Sequence, residues 1–125
     1  MTLLDGHEIE TLLQPREGPC VSLFLPTTPT SAALADDQGR LRGLIRQARK
    51  DLGGANGAAD AILAPLDALA SGADDGFRAR RALGLAAFAA PGFHREYAVP
   101  HAFDEHVGVG PFFALARLLP VVQDT

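Results

Sequence analysis

Residues 18 to 30 read GPCVSLFLPTTPT. Between Pro19 and Pro26 the chain runs Cys-Val-Ser-Leu-Phe-Leu, and Ser22 is its one polar residue. Alternation would mark a strand with one wet face, whereas a run apolar at odd and even positions alike marks a strand covered on both faces. The stretch therefore predicts a central strand near 20–25 with a layer on either side. After it, Pro26 and Pro29 remove backbone donors, and Thr27, Thr28, Thr30 and Ser31 bond the backbone locally, so the chain leaves the strand as a loop.

Upstream, Asp5 with Glu8 resembles a capping pair, Ile9, Leu12 and Leu13 keep helical spacing, and Pro15 closes a short opening helix. Downstream, the period turns helical from Asp36. In DDQGRLRGLIRQARKDLGG the residues Leu41, Leu44, Ile45, Ala48 and Leu52 share one side, and Gly53-Gly54 supply the stop. A second helix follows in NGAADAILAPLDALASG, with Ile62, Leu66 and Leu69 inward and Pro65 kinking or restarting it. GLAAFAAPGFHREYAVP reads as a hairpin: an apolar strand near 83–89, a turn at Pro91-Gly92, and a strand over 93–99 alternating Phe93, Arg95, Tyr97 and Val99. A fourth strand is expected near 105–109, and a last helix between Pro111 and Pro120. Together these predict an α/β (α+β layered) single domain over residues 1–125, a mixed sheet of about four strands packed with about four helices.

The 125 residues are enough to bury a core without staples. Hydrophobic residues make up 47% of them but aromatics only 6%, so that core is built mostly from Ala, Leu and Val. The net charge of −4 argues against a whole-surface grip on nucleic acid, so any such contact is local. One cysteine forms no internal disulfide, the opening residues lack a secretory pattern, and no apolar run reaches the length of about 20 residues that crosses a bilayer. A cytoplasmic protein without a membrane role is expected.

No residue set names a reaction. Cys20 has neither a histidine base nor a cationic neighbour in its local sequence and reads as part of the core. His101, Asp104, Glu105 and His106 have metal-donor chemistry, but two histidines five apart in a loop do not converge as helical His-Glu-x-x-His does. Gly53 and Gly54 end a helix instead of opening one, and VGVGPF, though it precedes the expected last helix, lacks the third glycine and the Lys-Ser/Thr of a phosphate loop. Asp36-Asp37 and Asp74-Asp75 read as caps and solvated turns. No catalytic residue, metal site or cofactor is expected. What remains is the basic flank Arg42, Arg46, Arg49 and Lys50, whose spacing of four, three and one gathers four cations beside the apolar stripe. Such a flank is either solvated or a contact for phosphates, with Arg78, Arg80 and Arg81 as a second cluster.

The segments REGPCVSLFLPT (16–27), RLRGLIRQA (40–48), LAPL (63–66) and GLAAFAAPGFHREYAVP (84–100) together resemble the N-terminal domain of the bacterial release-factor-like proteins, relatives of the archaeo-eukaryotic class I peptide release factors. The resemblance implies an α/β domain followed by two further domains, the middle one carrying the Gly-Gly-Gln tip that triggers peptidyl-tRNA hydrolysis in true release factors. GGAN at residues 53–56 lacks that glutamine. The eukaryotic stop-codon motifs, Asn-Ile-Lys-Ser and Tyr-x-Cys-x-x-x-Phe, are also absent: Val107 and Val109 stand at the Tyr and Cys positions of the second, with Phe112 or Phe113 as its Phe. The implied role is a non-catalytic, ribosome- or RNA-associated module of a bacterial protein, without stop-codon reading. The alternative expectation is a structural or protein-interaction domain that forms a homodimer or docks another domain.

Overall fold

The computed structural model describes residues 5–28, 30–53, 58–72 and 82–118. In chain order these form α1 (Gly6–Leu13), β1 (Cys20–Pro26), α2 (Leu34–Asp51), α3 (Ala58–Ser71), β2 (Gly84–Ala90), β3 (Phe93–Val99) and β4 (His106–Gly110), with 3-10 turns at Ser31–Ala33 and Leu115–Leu118. The strands make one sheet in the order β3-β2-β1-β4, so β1 is an inner strand. Its residues Cys20 to Leu25 are all buried, as a strand apolar on both faces requires.

Every pairing is antiparallel, which corrects the expected mixed sheet while leaving the α+β class intact. The connection from β1 through α2 and α3 brings the chain back to the end of the sheet where β1 left it, so β2 runs opposite in direction: Pro26 faces Gly84 and Val21 faces Ala89. On the other side Val21 faces Val109. The last helix is also corrected. After Pro111 the chain makes only the 3-10 turn Leu115–Leu118, giving three α-helices among the described residues; Pro120 lies outside them.

The sheet divides two cores. On one face Val21, Leu23, Leu25, Leu85, Ala87 and Ala89 meet Leu41, Ile45 and Ala48 of α2 and Ile62, Leu63, Leu66 and Leu69 of α3. On the other, Phe24, Phe88, Tyr97, Phe103 and Phe113 pack with Leu12 of α1 and Leu118. Pro65 stays within a continuous α3. Its missing donor lies on the side of the exposed Ala61, whose carbonyl can turn to water.

Two turns follow the sequence closely. Gly92 takes φ +71 after Pro91, the pair a tight type II turn asks for, and closes the β2–β3 hairpin. Asp5 caps α1 by accepting the Glu8 amide at 2.9 Å. Glu8 does not close the reciprocal half of the box; its carboxylate accepts the Tyr97 hydroxyl at 2.8 Å, latching α1 to β3. No helix among the described residues is long and apolar enough to cross a membrane.

Candidate nucleic-acid interface

α2 carries the one basic constellation in the described chain. Asp36 and Asp37 sit in its first turn and Arg49 and Lys50 in its last, which suits the helix dipole at both ends. No side chain caps Ala33; the start is secured instead by Asp37, which is fully buried, accepts the Thr28 amide at 3.0 Å and pairs with Arg40 at 3.0 Å. Leu41, Ile45 and Ala48 bury the inner stripe, and Gly53 at φ +83 ends the helix beyond Leu52.

The four cations of the basic flank have different fates. Arg49 is drawn into the seam between the helices, where Nε bonds Asp60 at 3.0 Å and Nη2 bonds Asp67 at 2.8 Å. Those two carboxylates, Asp67 first, hold its guanidinium more firmly protonated than usual. Arg42 reaches across to donate to the Ala70 carbonyl at 3.1 Å, supplying a partner to the last turn of α3. Arg46 and Lys50 are exposed and make no ion pair among the described residues. Arg42 is also exposed, so it can keep its carbonyl bond through one nitrogen and offer others outward. The surface available to an anion is therefore Arg42, Arg46 and Lys50, one cation smaller than the sequence pattern. Arg78, Arg80, Arg81, Asp74 and Asp75 lie outside the described residues, as do Gly54 and Asn56.

The acidic half of this seam was readable. Asp60 and Asp67 are seven apart, two helical turns on one stripe of α3, and match the stripe of Arg42, Arg46 and Arg49 on α2. Comparing the two helices for opposite charge would have assigned Arg49 to α3.

Elsewhere the polar groups serve packing. Cys20 is buried, its Sγ 3.6 Å from the Pro111 carbonyl, and burial pushes the thiol pKa up against the smaller pull of Arg16. A thiol held protonated is a poor nucleophile. Ser22 Oγ accepts the Ala114 amide at 2.9 Å, so the one polar residue of β1 ties down the segment after β4. His101 stands edge-on to Phe103 with centroids 4.9 Å apart, and His106 lies 6.1 Å from Phe24 with its pKa lowered by burial and by Arg117. No three His, Cys, Asp or Glu side chains converge for a metal among the described residues. Gly108 and Gly110 of VGVGPF both lie in β4, and the chain bends at Pro111 and Phe112, so these glycines do not precede an α-helix as expected. Arg16, unnoticed in the sequence, stacks 3.5 Å from the Phe93 ring centre while donating to the Thr11 carbonyl at 2.7 Å.

No protein-family model matches the chain, and no curated protein matches it.

Proposed function

We propose that this chain is a non-catalytic module of a release-factor-like protein that associates with the ribosome or its RNA in the cytoplasm, contacting phosphates through the outward shoulder of α2. The observation that carries this reading is the trio of exposed cations Arg42, Arg46 and Lys50 on a chain whose net charge is −4. Charge concentrated against the overall sign gives a local contact without general adhesion to polyanions. Phosphate contacts from three cations predict a binding constant that falls with salt at a log–log slope of about −2 to −3. The stop-codon motifs are missing from the sequence, so base reading is not part of the proposal.

Co-sedimentation with ribosomes at low and high salt tests it, comparing the wild type with Arg46→Glu/Lys50→Glu. These two side chains are exposed and make no ion pair among the described residues, so the variant is expected to keep its structure while reversing the surface charge. Salt-sensitive sedimentation lost in the variant is the expected result. Equal sedimentation of both, or none by the wild type at low salt, overturns the reading.

A second reading is favoured by Arg42 and Arg49. Both brace α3, by bonds to Ala70 and to Asp60 and Asp67, and a flank built for bracing needs no RNA. On this reading the chain is a structural or protein-interaction domain, and Arg42→Ala and Arg49→Ala lower its melting temperature without touching any ribosome binding.

A further inference from the structure

The helix and strand at the opposite edge of this layer form a second surface, and it does not depend on the RNA reading. Among the described residues β4 ends the sheet, paired with β1 on one side only. Edge strands of natural proteins are guarded by lysine, proline, bulges or inward charge, because their free amides and carbonyls invite another strand. The other edge, β3, carries His94, Arg95 and Glu96. β4 reads His-Val-Gly-Val-Gly, holds no charged residue other than a histidine whose pKa is lowered, and is half-buried along its whole length.

Val107 and Val109 lie on the α2 side of the sheet, partly exposed beside the half-buried Leu44 and Leu52. α2 turns a distinct stripe toward this edge. Arg40, Leu44, Gln47 and Asp51 are spaced four, three and four apart, on the flank away from the Arg42–Arg49 flank that meets α3. The stripe carries a cation at one end, a carboxylate at the other, and an apolar and an amide side chain between. A two-fold axis through its middle sets Arg40 against a partner's Asp51 and Leu44 against a partner's Gln47. Self-complementarity of this kind is what an isologous interface requires.

β4 obeys the same symmetry. With the axis at Gly108, antiparallel pairing brings Val107 opposite the partner's Val109 and His106 opposite the partner's Gly110, where a missing side chain leaves room. We infer that β4 and the Arg40–Asp51 stripe of α2 form the interface of a two-fold homodimer, in which two four-stranded sheets join into one of eight strands. The partner is a second copy of this chain because both strand and stripe complement themselves. Arg40 already bonds Asp37, and its remaining donors reach the partner.

Sedimentation-velocity measurements on the full chain test the proposal, with circular dichroism confirming that each variant is folded. The wild type is expected to run at twice 13.1 kDa in a concentration-dependent equilibrium. Val109→Lys, which guards the edge, and Asp51→Arg, which sets like charges face to face, are expected to shift it to the monomer. A wild type that stays monomeric at the highest attainable concentration overturns the inference. So does a dimer that Val109→Lys and Asp51→Arg leave intact, since it uses another surface.

Discussion

The two faces of the sheet are packed by different means. The α2–α3 face is aliphatic: Leu, Ile and Ala from two long helices interleave with the odd-numbered residues of β1 and β2. The opposite face is aromatic. Phe24 meets Phe88 edge-on at 5.7 Å and Phe103 at 5.2 Å, and Phe88 meets Phe113 at 5.3 Å. Its cover is an eight-residue helix, the loop around Phe103 and one 3-10 turn. Large rings reach the sheet from irregular backbone, where small side chains need a regular helix held close. Irregular cover has backbone groups to satisfy, and the polar bonds collect here: Glu8 to Tyr97, Ser22 to Ala114, Arg16 to Thr11.

The contrast is most sharply broken at Gly84. A Cβ there overlaps the His101 carbonyl oxygen and comes within 3.0 Å of the Phe103 ring. Backbone cannot yield as a side-chain tip can, so Gly84→Val is expected to cost more than about 4 kcal/mol and to abolish cooperative thermal unfolding. Truncations sharpen the comparison next. Phe88→Ala, which removes a ring touching three others, is expected to cost about 3–5 kcal/mol, and Leu66→Ala on the aliphatic face about 2–5 kcal/mol. Volume-conserving changes separate the faces further: Leu66→Met costs under about 1.5 kcal/mol in urea titrations, while Phe88→Leu exceeds that because ring contacts are lost.

A smaller effect is the pH dependence, which belongs to the aromatic face. Burial and the Glu8 bond raise the Tyr97 phenol well above its usual value, and burial raises the Cys20 thiol. Raised folded-state values mean stability that is complete below the unfolded pKa values, about 10 for tyrosine and about 8.5 for cysteine, and lost as pH climbs past them. His106 works in the other direction. Its value is lowered in the fold, so its contribution is present above about pH 6.5 and declines as pH falls below it. Melting temperature against pH should show both limbs, with Tyr97→Phe flattening the alkaline one. The least effect is at the rim of the aliphatic face: Arg49→Ala opens the pairs to Asp60 and Asp67, and exposed pairs of this kind contribute about 0–1 kcal/mol each.

The same contrast explains what the sequence disclosed. Periodic aliphatic stripes such as Leu41, Ile45, Ala48 have a helical signature, so α2, α3 and the inner position of β1 were all legible. The Pro91-Gly92 turn was legible because its chemistry is local. Phe103, Phe113 and Leu118 obey no period. Phe103 lies in a stretch that reads as loop, and Phe113 and Leu118 in one that reads as a helix because Pro111 and Pro120 mimic its limits, while the structure makes that second stretch a bend and a 3-10 turn anchored by Ser22. In the candidate interface the four cations were visible and Asp60 and Asp67 could assign Arg49, but the hold on Arg42 could not be read, because a backbone carbonyl leaves no mark in a sequence.

The register of β1 has a temporal consequence. Val21 pairs with Ala89 on one side and Val109 on the other, so the innermost strand is synthesised long before either of its neighbours. Leu12 and Glu8 likewise wait for Phe88 and Tyr97. During translation the apolar run from Cys20 to Leu25 emerges with only helices to shelter it, α2 and α3 on one face and the short α1 on the other. Pairings this remote in sequence make for slow folding and a nascent chain prone to stick. Production of the protein should therefore respond to slower synthesis or to chaperones that hold extended apolar segments, even though the finished domain hides that strand completely.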